Sequence, residues 1–224
     1  MDSQDISTDF LLKFWPWLEA NRKRLIIVGV AALVLLLVWF FLKTQRQQEE
    51  LAAGQAYTQF QLSQSPTTPT EQLADGYLQI VKKYAGTMAA QRAELQAASV
   101  MFDAGRYADA QKEFQAFLSA NGDSTLAAAA QTGVAACLEA QGKLDDALTA
   151  YQTVVNRYPD STTAIEAKYS CGRILELQGK LNEAVSSYQE VARSQLAGSL
   201  ASVSAQRIAL LRTKLAAIKP VSKS

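Results

Sequence analysis

The chain has 224 residues and a formal net charge of +1, from 22 Lys and Arg against 21 Asp and Glu, with two Cys and no His. This near balance argues against a nucleic-acid interface, which requires a basic patch. Histidine is the commonest general base and metal ligand, so its absence disfavours catalysis and metal binding. The sequence holds no nucleophile–base set, metal-ligand spacing or phosphate loop, and we therefore predict no enzyme activity and no cofactor.

The first 24 residues are predicted to form a short cytoplasmic segment. Residues 10–18 place two Phe and two Trp around Pro16. This aromatic composition is typical of a chain in the headgroup region of a membrane. We interpret residues 10–18 as an interfacial foot to the segment that follows, and a docking site for a membrane partner is the alternative.

Residues 25–42, LIIVGVAALVLLLVWFFL, form an uncharged apolar run of 18 residues. A helix of that length can cross the hydrocarbon core of a bilayer. A helix from a soluble core would carry a polar face, and a cleaved signal peptide would have a shorter apolar stretch and a small-residue cleavage site. We therefore predict a single transmembrane helix that is retained.

The charges that flank this run predict its orientation. Arg22, Lys23 and Arg24 precede it, whereas only Lys43 and Arg46 follow closely. Basic residues concentrate on the cytoplasmic side of membrane helices. The N-terminus is therefore predicted to be cytoplasmic and the rest of the chain to lie on the far side.

Residues 43–70 are predicted to form a helical stalk and a loop. The stalk is rich in Gln, Glu and Ala, and it ends at the Pro- and Thr-rich residues 65–69. Residues 70–84 are predicted to form a short helix, because Leu73, Tyr77 and Ile80 fall on one helical face.

Residues 71–198 contain a repeat. The glycines Gly105, Gly142 and Gly179 recur at an interval of 37 residues, each followed two residues later by a helical pattern. An aromatic residue stands nine positions after each glycine, as Phe114, Tyr151 and Tyr188. A fixed interval of this size with two helical patterns per unit predicts a solenoid of helix hairpins.

The predicted hairpins assign every helix of the repeats. First helices are expected at about 88–104, 126–141 and 163–178, each ending at a glycine, and second helices at about 107–120, 144–157 and 181–193. Residues 199–224 are predicted to form a capping helix, to about residue 218, and a basic tail. No acidic side chain follows Glu190. We interpret this end as solvated, and contact with lipid headgroups or with a partner is the alternative.

The Gly, Ala and aromatic positions of residues 73–218 resemble the tetratricopeptide repeat. The unit is a few residues longer than the usual thirty-four, and Met101, Leu138 and Leu175 stand where a large aromatic is expected in the first helix. The resemblance implies an all-α fold in which the transmembrane helix is followed by a tetratricopeptide-like helix-hairpin solenoid. It also implies that this solenoid binds other proteins.

The chain has a short acidic N-terminus, basic residues 22–24 before one anchor with Gly29 and Trp39, a Gln- and Ala-rich stalk with Tyr57, and degenerate hairpins. This layout is similar to the bacterial inner-membrane family known as the ancillary subunit of the Sec translocon. The repeats alone also resemble periplasmic tetratricopeptide proteins of outer-membrane assembly. The resemblance of the whole layout implies a single-pass inner-membrane protein with its repeats in the periplasm. It also implies the Sec translocon, a periplasmic chaperone and exported client proteins as partners, and a role in protein export. The alternative is a structural scaffold that assembles a cell-envelope complex.

If the resemblance holds, partners bind the concave face formed by the first helices. The predicted partner-binding residues are Arg92, Leu95, Phe102, Glu139, Tyr169, Arg173 and Glu176. Phe102 and Tyr169 would act as apolar anchors, and the charged residues would set the orientation of the partner. The alternative is an ordinary solvated face, with some of these residues buried by a neighbouring helix.

Cys137 and Cys171 fall on consecutive first helices. An oxidising periplasm would permit a disulfide between them. The alternative is two small buried side chains, because stacked helices usually lie farther apart than the Cα distance that a disulfide spans.

Overall fold

The computed structural model describes residues 19–65 and 67–218, and residues 3–18 only as the start of the first helix. Within this part the protein is all-α, as predicted. The side chains of the aromatic segment at residues 10–18 and the basic tail after residue 218 lie outside the described residues.

The helices follow one another with short connections. They are α1 (Ser3–Ser63), α2 (Thr70–Lys83), α3 (Met88–Asp103), α4 (Tyr107–Ala120), α5 (Ala127–Ala140), α6 (Leu144–Arg157), α7 (Thr162–Leu177), α8 (Leu181–Arg193) and α9 (Ser199–Ile218). The ends of α2 to α9 agree with the predicted ends to within one residue. A 3-10 turn at Gln195–Ala197, which no pattern predicted, joins α8 to α9.

The chain divides into two compact units, Met1–Ala52 and Ala53–Ser224. In the first unit, the large apolar side chains between residues 25 and 42 are all exposed. An 18-residue window of this helix has a mean hydropathy of 3.1 and is not buried at all. By length and composition, α1 is therefore able to cross a membrane.

The second unit is a stack of helix hairpins in which α3, α5 and α7 are the first helices and α4, α6 and α8 the second helices. Gly105, Gly142 and Gly179 join each pair and have φ angles of 76°, 76° and 75°. The residue after each glycine donates its N–H to the carbonyl five residues earlier, at 2.9–3.0 Å. This pattern is a Schellman motif, in which a left-handed glycine closes the helix.

Replacing Gly142 by Ala is expected to lower the free energy of unfolding by about 1–2 kcal/mol, because a Cβ strains the left-handed backbone. A Cβ added to Gly54, inside α1, would have no heavy atom within 4 Å, and Gly54 has no positive φ. Its replacement by Ala should therefore raise stability by about 0.5–1 kcal/mol. Thermal unfolding of the full chain in detergent, monitored by circular dichroism, measures both changes in stability. Equal effects of the two substitutions would contradict the assignment of Gly142 to a left-handed helix end.

The second unit begins with the end of α1. Ala53 is fully buried, and the Phe60 ring meets the Tyr77 ring of α2 edge-on at 4.9 Å. A Cβ on Gly76 would lie 2.0 Å from the Phe60 ring, so a larger residue at this position requires the ring to move. Residues 53–63 thus serve as the first helix of a hairpin with α2, whereas the sequence pattern assigns them to the stalk and starts the repeats at residue 71.

The core of the second unit follows the repeat. Tyr77, Phe114, Tyr151 and Tyr188 are all buried, one on each of α2, α4, α6 and α8. A second buried row consists of Phe117, Val154 and Val191, which stand three residues after Phe114, Tyr151 and Tyr188. Because each hairpin buries its aromatic residue against its neighbours, the units are stable only as a stack.

Contacts between helices show which side of the stack is the inner one. The first helices contact one another, α3 with α5 and α5 with α7, in addition to their second helices. Within the described residues, consecutive second helices make no comparable contact. Helix α9 packs on α8 and also touches α7, so it occupies the place of a further first helix. The first helices therefore line the inner side.

Candidate protein-binding face

The seven predicted site residues lie on the three first helices, whose exposed side we call the first-helix face. They are Arg92, Leu95 and Phe102 on α3, Glu139 on α5, and Tyr169, Arg173 and Glu176 on α7. The structure brings Glu139 and Arg173 into direct contact. The role of the seven residues in binding a partner stays a prediction.

Glu139 joins two repeats. Both terminal nitrogens of Arg173 donate to the carboxylate of Glu139, Nη1 to Oε1 and Nη2 to Oε2, the latter at 2.7 Å. The Tyr151 hydroxyl donates to Oε2 at 3.1 Å. The hydrogen bond with Glu139 raises the pKa of Arg173, whereas burial, followed by the charge of Glu139, raises the pKa of Tyr151. This carboxylate therefore ties α5 to α6 and to α7.

Glu176 repeats this arrangement one unit later. The Tyr188 hydroxyl donates to Glu176 Oε2 at 3.4 Å. The cations come from α9: Arg207 Nη1 lies 3.7 Å and Lys214 Nζ 3.8 Å from Oε1. The capping helix thus supplies the positive charge that the next first helix would otherwise provide.

The first repeat replaces the polar network by apolar groups. Phe102 stands 37 residues before Glu139, and Phe114 stands 37 residues before Tyr151. The position of Arg173 is taken by Ala136. The half-buried Phe102 ring lies 5.1 Å from the Tyr107 ring. The first-helix face therefore changes from apolar at α3 to ionic at α5 and α7.

The remaining predicted residues differ in how much of them a partner can reach. Arg92 is exposed, whereas Leu95 is half-buried against the core. Tyr169 is also half-buried, with its ring 5.3 Å from that of Tyr188. The two predicted aromatic anchors, Phe102 and Tyr169, thus each turn part of the ring into the stack.

Four residues of these networks were not predicted from the sequence, namely Tyr151, Tyr188, Arg207 and Lys214. A signal for the tyrosines exists, because Glu139 and Tyr151 recur as Glu176 and Tyr188 at the repeat interval. The two cations of α9 fall outside the repeat, and the sequence pattern does not reveal their contact with Glu176.

Replacing Arg173 by Met is expected to destabilise the fold by about 1–2 kcal/mol. Glu139 is 15% exposed and loses its ion-pair partner, while Arg173 is 41% exposed, so the cost stays below that of a fully buried pair. The control is Arg92→Met on the exposed part of α3, which should change stability by less than about 0.5 kcal/mol. Thermal unfolding of the full chain measures both, and an equal loss would contradict a special role of Arg173.

A comparison of the sequence with protein-family models decides the family. The model described as a tetratricopeptide repeat-like domain matches residues 15–219. The chain belongs to this family. The resemblance to the tetratricopeptide repeat is thus confirmed, and a stacked-hairpin fold of this kind indicates protein–protein interaction. No curated protein matches the sequence.

Solved structures agree with a tetratricopeptide-like fold. A tetratricopeptide repeat protein from Parabacteroides merdae has a TM-score of 0.55 at 12% identity, covering 75% of this chain and 61% of its own. A T3SS complex from Aeromonas hydrophila has a TM-score of 0.50 at 18% identity, covering 62% and 95%. The type III secretion translocator chaperone SycD from Yersinia enterocolitica has a TM-score of 0.49 at 21% identity, covering 57% and 96%. At these identities the first two structures show the fold alone, and the third, with a TM-score below 0.5, adds no support.

The cysteines of the tetratricopeptide-like repeats are free thiols in the structure. Cys137 and Cys171 are both buried, and they belong to different core clusters. Burial raises the pKa of each thiol to about 11. Among the described residues, no group of three or more His, Cys, Asp or Glu is arranged to hold a metal ion.

Stability of the repeats is expected to fall as the pH rises from 8 to 10. The pKa of each cysteine is higher in the folded state than in the unfolded state, so the folded chain binds more protons in this range and rising pH favours unfolding. The expected loss is on the order of 1 kcal/mol per cysteine at pH 10. Denaturant unfolding at several pH values measures it. The double variant Cys137→Ala and Cys171→Ala should show a shallower pH dependence, and an unchanged one would contradict the prediction.

Proposed function

We propose that this protein is a membrane-anchored protein-binding protein that assists protein export. The observation that carries the proposal is one exposed apolar helix long enough to span a bilayer, joined in sequence to tetratricopeptide-like hairpins whose first helices line an inner face. Extended inner faces of such stacks bind polypeptide segments. The anchor keeps this face in the neighbourhood of a membrane.

The proposed setting is the bacterial inner membrane, with the repeats in the periplasm. The excess of basic residues before the apolar run supports a cytoplasmic N-terminus. The layout of the chain supports the Sec translocon, a periplasmic chaperone and exported clients as partners. Protease added to spheroplasts should digest the repeats, and protection of the repeats would contradict this orientation.

Photo-crosslinking in intact cells tests the binding face. A photoreactive amino acid is placed at Arg92 or at Glu166, which are both exposed and occupy equivalent positions on α3 and α7. The matched controls are Gln115 and Gln152, which are exposed at equivalent positions of the second helices α4 and α6. Adducts are identified by mass spectrometry.

The export role predicts adducts with translocon subunits, a chaperone or many exported proteins, formed from the first-helix positions alone. A single envelope protein as the adduct would replace the export role by that of a scaffold. Equal labelling from all four positions would contradict the assignment of the binding face.

A further inference from the structure

One side of α9 carries alternating apolar and cationic residues. Val203, Arg207, Leu210 and Lys214 follow one another at intervals of three or four residues and therefore share a helical face. We call these four residues the α9 strip. Leu210 is 58% exposed, and the side chains of Arg207 and Lys214 are 45% and 61% exposed.

The positive charge of the α9 strip is only partly neutralised. Arg207 and Lys214 share one carboxylate, that of Glu176, at distances of 3.7 and 3.8 Å, which exceed the length of a hydrogen bond. In the described part of the chain neither cation donates a hydrogen bond. Glu190 is the last acidic side chain of the sequence, so α9 brings no negative charge of its own. Two cations with free donors thus face a single anion.

The α9 strip adjoins the first-helix face, because its cations point to Glu176 on α7. The outward side of α9, opposite the buried Ser204 and Leu211, carries the exposed and uncharged residues Ser202, Gln206, Ala209 and Thr213, and the exposed Arg212 lies on the flank opposite the α9 strip. A bilayer surface would need basic and bulky apolar groups on that outward side. The charges are therefore placed for a polypeptide that lies along the first helices, rather than for lipid headgroups.

We propose that the α9 strip is the subsite for a polypeptide segment that carries acidic and apolar side chains. A carboxylate of the segment takes hydrogen bonds from Arg207 and Lys214, and its apolar side chains pack on Val203 and Leu210. Glu176 occupies the place of that carboxylate in the unbound protein and competes with it. This inference rests on the proposed function and adds the chemistry of the partner.

The test uses the full chain in detergent and the fluorescence anisotropy of two labelled peptides, one alternating Leu with Glu and the other Leu with Gln. The double variant Arg207→Gln and Lys214→Gln should bind the Leu/Glu peptide roughly ten-fold more weakly, the loss expected for charge-assisted hydrogen bonds. The control double variant, Lys112→Gln and Lys180→Gln, removes two exposed cations, one on α4 and one in the turn before α8, and should leave binding unchanged. Circular dichroism confirms that each variant is folded.

Glu176→Gln gives a test of opposite sign. Removing the competing carboxylate should tighten binding of the Leu/Glu peptide roughly three-fold or more, whereas a merely structural role of Glu176 predicts no gain. Weaker binding by this variant would overturn the inference, as would equal weakening by the two double variants.

The remaining outcomes separate this inference from the proposed function. Equal affinity for the two peptides overturns the acidic subsite but leaves the binding face intact, since that face is tested by the crosslinks from Arg92 and Glu166. The lipid alternative is tested with phosphatidylglycerol added to the detergent micelles. If the full chain binds this lipid and Arg207→Gln/Lys214→Gln loses that binding without any change in peptide binding, the inference is overturned in favour of a lipid surface.

Discussion

Replacing both Leu33 and Leu36 by Arg is expected to remove the protein from the membrane fraction. Both leucines lie near the middle of the apolar run and are exposed. Each Arg costs about 2.5–3.5 kcal/mol at the centre of a membrane helix, whereas each apolar residue contributes only about 0.3–0.6 kcal/mol. Two substitutions therefore offset most of the free energy that favours insertion. Carbonate extraction followed by immunoblotting measures the membrane-bound share.

The matched control replaces Leu51 and Leu62 by Arg. These leucines are also exposed, but they lie on α1 beyond the apolar run. The control should stay in the membrane fraction as the unmodified protein does. Retention of the Leu33→Arg/Leu36→Arg variant after extraction would contradict the prediction that residues 25–42 span the bilayer.

Replacing Phe117 by Ala is expected to cost about 3–5 kcal/mol, the usual range for removing a large aromatic side chain from a core. Phe117 is fully buried on α4 in the cluster that joins α2, α3, α4 and α5. A loss of this size should lower the midpoint of thermal unfolding by roughly 10 °C in a domain of this length. Circular dichroism of the full chain in detergent measures it.

Two further substitutions calibrate this result. Val154 occupies the equivalent buried position on α6, and Val154→Ala removes fewer atoms, so its cost should be smaller. Gln115 is exposed on the same helix as Phe117, and Gln115→Ala should change stability by less than about 0.5 kcal/mol. A cost for Phe117→Ala no greater than for Gln115→Ala would contradict the packing described for this repeat.

The helices of the repeats could be predicted closely from the sequence, and the reason is local. Gly142 marks the end of one helix because only glycine adopts its left-handed φ without strain. The same glycine recurs at the repeat interval together with Tyr151 and its equivalents, so each unit supports the assignment of the next. An 18-residue apolar run needs no tertiary information either, because its length and composition alone match a bilayer.

The candidate site was less predictable. The sequence places Glu139 and Arg173 on one face, but their ion pair joins residues 34 positions apart on different helices. The pattern likewise indicates that residues 53–63 are helical without showing that Phe60 packs on Gly76. Helical periodicity shows which residues share one face of a helix. It carries no information on which residues of another helix will pack against that face.

The sequence by itself determined that this protein is an apolar helix followed by repeated helix hairpins, since glycine spacing, aromatic register and hydropathy are properties of the chain read in order. Only the tertiary structure decided that the end of α1 completes the first hairpin and that Arg207 and Lys214 of α9 face Glu176. Those contacts depend on how the stack curves and on the distances between helices, because a charged side chain pairs with whichever opposite charge packing brings within a few ångströms.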